Sequence, residues 1–385
     1  MRVLHVHSGN LYGGVEALMV TMARSAALNP ALESEFALCF DARVAAELRA
    51  AGATVHPLGH VRTRYPLSIW RARRRLRQLL ARRRFDVAVC HMPWAQAMFA
   101  HVARTAGLPV VFWMHGAAAG RHWLERWARH TPPDLALCNS RFTATTLAKL
   151  YPHSRSEVFY MPVASVAVRM NHADRETVRT ALDTPPGAVV IIQVSRMEPG
   201  KGHMLHLEAL ARLRGQPEWT CWFVGGAQRP AEVRYLEQLR MSATRLGIAE
   251  HVRFLGQRAD VPRLLAAADI LCQPNTGAEA FGIVFVEAEA AGLPVVATAL
   301  GGALEVIDES CGVLVAADDV DGLAAALHRL ISDGGERHRI GAGGPANAKR
   351  LCDPATQMGR LAAILATVAS TDERADAIRA SVSAS

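Results

Sequence analysis

Residues 279–287 read Glu-Ala-Phe-Gly-Ile-Val-Phe-Val-Glu, two carboxylates bracketing a mostly apolar run with one glycine near its start. A polar loop, QPNTGA (273–278), precedes it, and a small-residue segment, AEAAGLPVVAT (288–298), follows. The pattern predicts a strand at Ile270–Pro274, a loop carrying Glu279, and a helix over Ile283–Ala291, with Glu287 about two turns further in. A helix N-terminus offers unpaired N–H groups and partial positive charge, which suits phosphate. Carboxylates beside it can accept hydrogen bonds from sugar or ribose hydroxyls. An ordinary helix with an apolar core face and two solvated glutamates would read the same way, so the stretch alone leaves both open.

The chain has 385 residues, more than one ordinary α/β domain needs, and two domains are expected. Apolar residues make up 50% and charged residues 20%, the balance of a well-packed soluble protein. No apolar run is long enough to span a bilayer. The opening MRVLHVHSGN carries one Arg and then alternates apolar with polar, reading as a first strand and not a signal peptide. There are seven cysteines and no CxxC pair; Cys39, Cys90, Cys138, Cys221 and Cys272 fall in expected strands. Buried, reduced thiols in a cytosolic protein fit this better than a disulfide framework or zinc site.

The formal net charge is +8, much of it from Arg62, Arg64, Arg71, Arg73, Arg74, Arg75, Arg77, Arg82, Arg83 and Arg84. Trp70, Leu76, Leu79 and Leu80 interleave with them. The preferred reading is the outer face of a crossover helix packed through its leucines. An amphipathic helix in weak contact with anionic lipid through residues 62–84 is the second. A nucleic-acid patch is the weakest, and no nucleic-acid partner is expected. The expected location is cytoplasmic, with peripheral contact at the inner face of the membrane left open.

Short runs rich in Val, Phe, Leu and Ala alternate with helical patterns from Arg2 to Met161. Such alternation implies a parallel, doubly wound α/β sheet. The rhythm breaks between Pro162 and Gly187 and restarts at Val189. The expected organisation is an N-terminal domain at 1–165, a linker at 166–187 with one short helix, and a second doubly wound domain at 188–352. A Gly-rich segment, GAGGPAN, precedes a C-terminal helix at 353–370 that packs back toward the N-terminal domain, and 371–385 is a frayed tail.

Ligands of open parallel sheets bind outside the C-terminal strand ends. After the first strand, SGNLYGGVE places Gly13 and Gly14 before a helix; it matches neither a P-loop nor a G-x-G-x-x-G fingerprint. A glycine pair permits close approach to a phosphate, or merely a tight turn. His115 ends the strand VVFWMH, where an imidazole can bind a sugar hydroxyl or handle a proton, and His91 ends VAVCH as a second candidate. Asn139-Ser140 is better read as a helix cap. In the second half, VVIIQVS runs into Arg196-Met197-Glu198-Pro199-Gly200-Lys201-Gly202. One Arg and one Lys on a loop that glycine lets fold tightly can bring two cations onto a diphosphate. The letters Asp319-Val320-Asp321 match a metal motif but start a helix, so capping is preferred and no metal site is expected.

The loop SRMEPGKG, the stretch EAFGIVFVE and the segment AGLPVVATALGGALEVI together resemble the retaining glycosyltransferases of family 4, which have the GT-B fold. SGNLYGGVE, FWMHG and LGQRADVPRLLAAADILCQP fit the same family, so the resemblance covers nearly the whole chain. It implies two Rossmann-like domains facing an interdomain cleft, and a nucleotide-sugar donor, a UDP- or GDP-sugar, as substrate with no cofactor. Under it, Arg196 and Lys201 bind the diphosphate and Glu279 contacts hydroxyls of the transferred sugar. Phe281, Gly282, Ile283 and Val284 line sugar and phosphate, and Glu287 binds the ribose. Gly14, beside Gly13, brings an amide near the phosphates, His115 faces the sugar near the reacting centre, and Gly256-Gln257-Arg258 lies near the base. Many members carry Asn-Gly-Val-Asp near the linker where this chain has YMPVASVAV, which leaves the donor contacts there open.

The function expected is transfer of a sugar from a nucleotide-diphosphate donor to an acceptor hydroxyl with retention. The acceptor is unknown: a glycan, a lipid-linked sugar or a small metabolite. Cations offset the charge of the departing diphosphate without a metal. Glu279 is the only carboxylate placed to act as a nucleophile, and the resemblance gives it to sugar hydroxyls instead, so front-side attack is expected. A nucleotide-sugar epimerase on the same fold and a catalytically silent sugar-nucleotide-binding scaffold are the alternatives.

Overall fold

A computed structural model of the chain describes residues 1–163, 170–213, 215 and 218–383, with the side chains of 371–383 left aside. The chain divides into two units, Met1–Val163 with Cys352–Ser385, and Ala164–Leu351.

The first unit winds strand and helix in turn: β1 (Arg2–His7), α1 (Gly14–Arg24), β2 (Glu33–Leu38), α2 (Arg43–Ala50), β3 (Thr54–Pro57), α3 (Pro66–Arg82), β4 (Val87–His91), α4 (Met92–Thr105), β5 (Val110–Met114), α5 (Trp123–Ala128), β6 (Leu135–Cys138), α6 (Arg141–Leu147) and β7 (Ser156–Val158). Its strands form one seven-stranded parallel sheet in the order β3-β2-β1-β4-β5-β6-β7. Both faces are covered, one by a cluster around Phe99, Phe112 and Leu76 and the other by Met19, Phe36 and Leu48. Burial on two faces explains why the strands read as apolar runs. The winding reverses between β1 and β4, which opens a crevice at their C-terminal ends.

The second unit comprises α7 (His172–Thr180), β8 (Val189–Val194), α8 (His203–Ala211), β9 (Trp219–Val224), α9 (Pro230–Arg245), β10 (Val252–Gly256), α10 (Val261–Ala267), β11 (Ile270–Gln273), α11 (Ile283–Ala290), β12 (Val295–Thr298), α12 (Ala303–Val306), β13 (Gly312–Val315), α13 (Val320–Ser332), α14 (Gly334–Gly341) and most of α15 (Gly344–Cys352). Its sheet has six parallel strands in the order β10-β9-β8-β11-β12-β13, reversing between β8 and β11. The last helix, α16 (Pro354–Ser383), belongs to the first unit: Asn29 donates to the Met358 carbonyl at 3.2 Å, and Arg360 to that of Val158 at 2.8 Å.

Two local expectations need revision. Residues 170–187 are part of the second unit, because α7 is bolted to it: Arg175 and Arg179 each reach Asp269 at 2.6 Å, and the Val190 amide donates to the same carboxylate at 2.7 Å. The linker residues 166–169 and positions 164–168 of YMPVASVAV lie outside the described residues. The Gly-rich segment joins two helices, and its glycines serve close packing: Gly341 ends α14 and Gly344 opens α15, where a Cβ on Gly344 would stand 2.6 Å from the Glu289 carbonyl oxygen and one on Gly341 would collide with that of Gly292. The final helix continues past residue 370 through a segment with neither Gly nor Pro, and residues 384–385 lie outside the described residues.

The arginine-rich α3 buries Ile69, Ala72 and Leu76, with Leu79 and Leu80 partly covered. Some of its charge is structural. Arg73 donates to the Met98 carbonyl at 2.7 Å, Arg75 to that of Leu58 at 3.1 Å, and Arg83 pairs with the buried Glu35 at 2.7 Å. Arg62, Arg64, Arg71, Arg74, Arg77, Arg82 and Arg84 remain exposed, beside Tyr65, Leu67 and Trp70. Among the described residues no helix is long and apolar enough to cross a membrane. All seven cysteines are buried, and none forms a disulfide.

Asp269 compensates two partly buried guanidinium groups and one amide, so removing it strands two charges. Asp269→Ala is expected to cost about 3 kcal/mol, read as a lower urea midpoint. An unchanged midpoint would show that α7 is not held this way.

Candidate functional site

In the second unit, the loops after β8, β11 and β12 are laced together by backbone. Gly202 has φ of 71° and sits so close to the Pro274 carbonyl that a Cβ there would collide with it. The amides of Thr276 and Gly277 both donate to the Gly200 carbonyl, at 3.2 and 3.1 Å. The Gly302 amide donates to the Glu279 carbonyl at 2.7 Å, and a Cβ on Gly302 would lie 2.7 Å from Phe281 Cα. Gln193, buried at the end of β8, donates to the Lys201 carbonyl at 2.7 Å and bonds His206 Nδ1 at 2.8 Å.

This lacing brings two expected site residues into contact. Lys201 Nζ lies 2.7 Å from Glu279 Oε2, and Asn275 Nδ2 donates to the same oxygen at 2.7 Å. Burial pushes the Glu279 carboxyl up, but the Lys201 charge and hydrogen bonds from Lys201, Asn275 and the Ala280 amide outweigh it and hold it below its ordinary value. Arg196 stands on the same β8 loop, its guanidinium 2.8 Å from Glu198 and 3.6 Å from Glu232. Both cations are therefore held by carboxylates, which keeps them oriented in the absence of an anion.

Gly282 caps α11 with φ of 92° and supplies no side-chain hydrogen bond, so the helix begins with its N–H groups uncapped by a side chain. Phe281 is buried, while Ile283 and Val284 are half-buried in the first turn. Glu287 is half-buried, and burial pushes its carboxyl up to about 7. The neighbouring Glu289 is fully buried, with Asn347 Nδ2 at 3.0 Å and Cys311 Sγ at 3.3 Å, and burial raises it to about 8. Gly256 has φ of 66° and its carbonyl accepts from the Gly225 amide at 2.8 Å; Arg258 is held bidentately by Asp260 at 2.8 and 2.7 Å. Asp319 caps α13, accepting from the Gly322 amide at 2.8 Å.

In the first unit, Gly13 is the N-cap of α1 and Gly14 its first residue. The Gly13 amide donates to Glu16 Oε2 at 2.9 Å, and Glu16 Oε1 lies 2.7 Å from His7 Nε2, so a buried Glu–His pair supports the glycine loop. His115 is half-buried just past β5, and its Nε2 is 2.9 Å from His91 Nδ1. Ser140 caps α6, accepting from the Thr143 amide at 3.0 Å. The sequence reading passed over His5, His7, Glu16, Gln193 and Asn275. The visible signal was LHVHS, whose histidines two apart must share one face of a strand.

Two parallel-sheet α/β units, each with glycine-bearing loops at its switch point, define a GT-B-type protein. The description "Glycosyltransferase Family 4" matches residues 12–164, and "Glycosyl transferases group 1" matches 174–346. Phosphatidyl-myo-inositol mannosyltransferase of Mycobacterium leprae is 31% identical over 304 residues, 78% of each chain. The chain belongs to glycosyltransferase family 4. D-inositol 3-phosphate glycosyltransferase of Mycobacterium marinum is 39% identical over 161 residues, 41% of this chain and 34% of that one. Against such inositol-phosphate relatives the match spans about a third to a half of their length. The crystal structure of Anabaena HepE in complex with UDP-glucose has a TM-score of 0.84 at 26% identity, covering 95% of this chain and all of that one.

Burial favours the protonated Glu287, so the folded carboxyl titrates above the unfolded one. Its contribution is present below the unfolded value near 4.5 and is lost as pH rises through about 7. Raising the pH from 5 to 8 is expected to cost wild type about 2 kcal/mol relative to Glu287→Gln. Thermal midpoints of both proteins at the two pH values check this; parallel shifts would mean an ordinary surface carboxylate.

Proposed function

We propose that the protein transfers a sugar, with retention, from a UDP- or GDP-sugar to an acceptor hydroxyl. The observation that carries this reading is Lys201 paired with Glu279 at the β8/β11 switch point, with Arg196 on the same loop. A nucleoside diphosphate entering there would draw both cations from their carboxylates onto its oxygens. Glu279, released from Lys201 and still held by Asn275, then accepts from hydroxyls of the transferred sugar. Glu287 accepts from the ribose, and the uncapped start of α11 at Gly282, Ile283 and Val284 faces phosphate. The gain in charge on the leaving diphosphate is met by groups already fixed in place, and such electrostatic preorganisation needs no metal ion. The acceptor hydroxyl attacks from the side the leaving group departs and passes its proton to the phosphate oxygen.

HepE, solved in complex with UDP-glucose, supports the nucleotide-sugar donor. The relatives named for inositol phosphate and phosphatidyl-myo-inositol support a polyol or lipid-linked acceptor. An amphiphilic acceptor also suits the exposed Tyr65, Leu67 and Trp70, which lie around the start of α3 at the C-terminal edge of the sheet beside exposed arginines. Weak peripheral contact with an anionic membrane at the cytoplasmic face follows from the same surface.

Lys201→Ala is expected to lower kcat about 100- to 1,000-fold with the fold retained, and Arg196→Ala somewhat less, measured as nucleoside diphosphate release. Glu287→Ala should weaken nucleotide binding about tenfold by calorimetric titration. Full turnover in the Lys201 variant would sink the diphosphate assignment. In flotation with phosphatidylserine vesicles, association is expected at low salt and lost at high salt; no association at low salt removes the membrane surface.

A further inference from the structure

Residues 227–233, AQRPAEV, put a proline at the first position of α9 and a glutamate at the third, the pattern of a capped helix start. Glu232 fills that role with one oxygen: its Oε2 accepts from the amides of Gln228 at 2.6 Å and Arg229 at 3.2 Å. Buried carboxylate oxygens are ordinarily hydrogen-bonded. Yet Glu232 Oε1 is buried and has no hydrogen-bond partner among the described residues. Two cations stand near that oxygen, Arg196 Nη1 at 3.6 Å and the Nε of the exposed Arg229 at 4.0 Å.

Sheet register carries Glu232 to Arg196. β8 and β9 are neighbours with Val194 opposite Val224, and the Ser195 amide donates to the Val224 carbonyl at 2.9 Å. Gly225 follows with φ of 152°, and a Cβ there would collide with the Ser195 carbonyl. The loop after β9 is thereby pressed onto the loop that bears Arg196. Arg196 also meets Glu198 at 2.8 Å, but the two carboxylates are unlike. The Glu198 side chain is 29% exposed and lies two residues on in the same loop. That of Glu232 is 4% exposed and comes from another strand's loop, pinned by backbone amides. A guanidinium has five N–H donors in a fixed fork, enough for a carboxylate and a phosphate together.

We propose that Glu232 is the positioning residue for Arg196: as an entering diphosphate draws the guanidinium off Glu198, Glu232 Oε1 takes one of its N–H groups and aims the others at phosphate oxygens. Glu198 is the partner that lets go, and Glu232 the one that stays. This rests on the part of the proposed function that gives Arg196 to a diphosphate, and does not need sugar transfer.

Calorimetric titration with UDP, GDP and inorganic pyrophosphate tests it. Glu232→Gln keeps a carbonyl oxygen for the amides of Gln228 and Arg229 and turns an NH₂ group toward Arg196. Its thermal midpoint should stay within about 2 °C of wild type. Its diphosphate affinity should fall about tenfold, the loss of one charge-assisted hydrogen bond. In an Arg196→Ala background the same change should shift affinity less than about twofold, because a residue acting through Arg196 has nothing left to act on. Glu198→Gln, which removes the competing partner, should raise affinity about threefold, the scale of a part-exposed ion pair. Unchanged affinity in Glu232→Gln overturns the proposal. So does a fall that persists without Arg196, which would leave Glu232 a helix cap only, and so does a fall in Glu198→Gln. Should Glu232→Gln not fold, Arg196→Lys decides. An ammonium lacks the fork that spans carboxylate and phosphate, so pyrophosphate affinity should drop about tenfold, and an undiminished value overturns the proposal. Wild type that binds none of these ligands overturns it too. Diphosphate binding that depends on Glu232 through Arg196, without sugar transfer from any donor, would leave it standing and sink the proposed function.

Discussion

There is no room for a side chain at residue 202. The Gly202 Cα lies against the Pro274 carbonyl in a left-handed conformation, and that approach draws the loop after β8 onto the loop after β11. Everything distinctive about the second unit's site follows from it. Lys201 precedes the glycine and Asn275 follows the proline, so both reach the same oxygen of Glu279. A bulkier residue at 202 would separate an ammonium from a partly buried carboxylate and leave each without its main partner, which costs several kcal/mol.

Much of this was legible beforehand, and for a physical reason. Strands buried on both faces are apolar runs whatever surrounds them, so β4 coincides with the run VAVCH and β5 lies within VVFWMH. Loops that bind anions need glycine and cationic side chains, and SRMEPGKG shows both. The failures came where tertiary contact overrides local preference. Gly341 ends α14 and Gly344 opens α15, and which backbone they press against, that of Gly292 and Glu289, is set by packing that no local pattern shows. The helix His172–Thr180 read as a connector because its attachment is electrostatic, through Arg175 and Arg179 to an aspartate some ninety positions later. No local pattern announces such a pairing.

The first unit shows the same division. That His115 directly follows a strand was readable from the apolar run before it, as was the place of His91 at the end of β4. Their joining in series with His5, whose Nδ1 lies 3.0 Å from His91 Nε2, depends on which strands are neighbours, which the strand order β1-β4-β5 supplies and the sequence does not. Glu16 is similar. It reads as an acidic residue in a helix's first turn, where the dipole favours it, but in the fold it also holds His7 and the amide of Gly13.

The seven buried thiols turn stability into something that can be read chemically. Cys39, Cys90 and Cys138 lie in the first unit and Cys221, Cys272 and Cys311 in the second, all enclosed. An alkylating reagent meets these sulfurs only when the surrounding structure opens, and burial suppresses the reactive thiolate in every one of the six. Labelling rates resolved by peptide therefore report the opening equilibrium of each sheet separately. A bound nucleotide that engages only one unit would slow alkylation in that unit's strands alone.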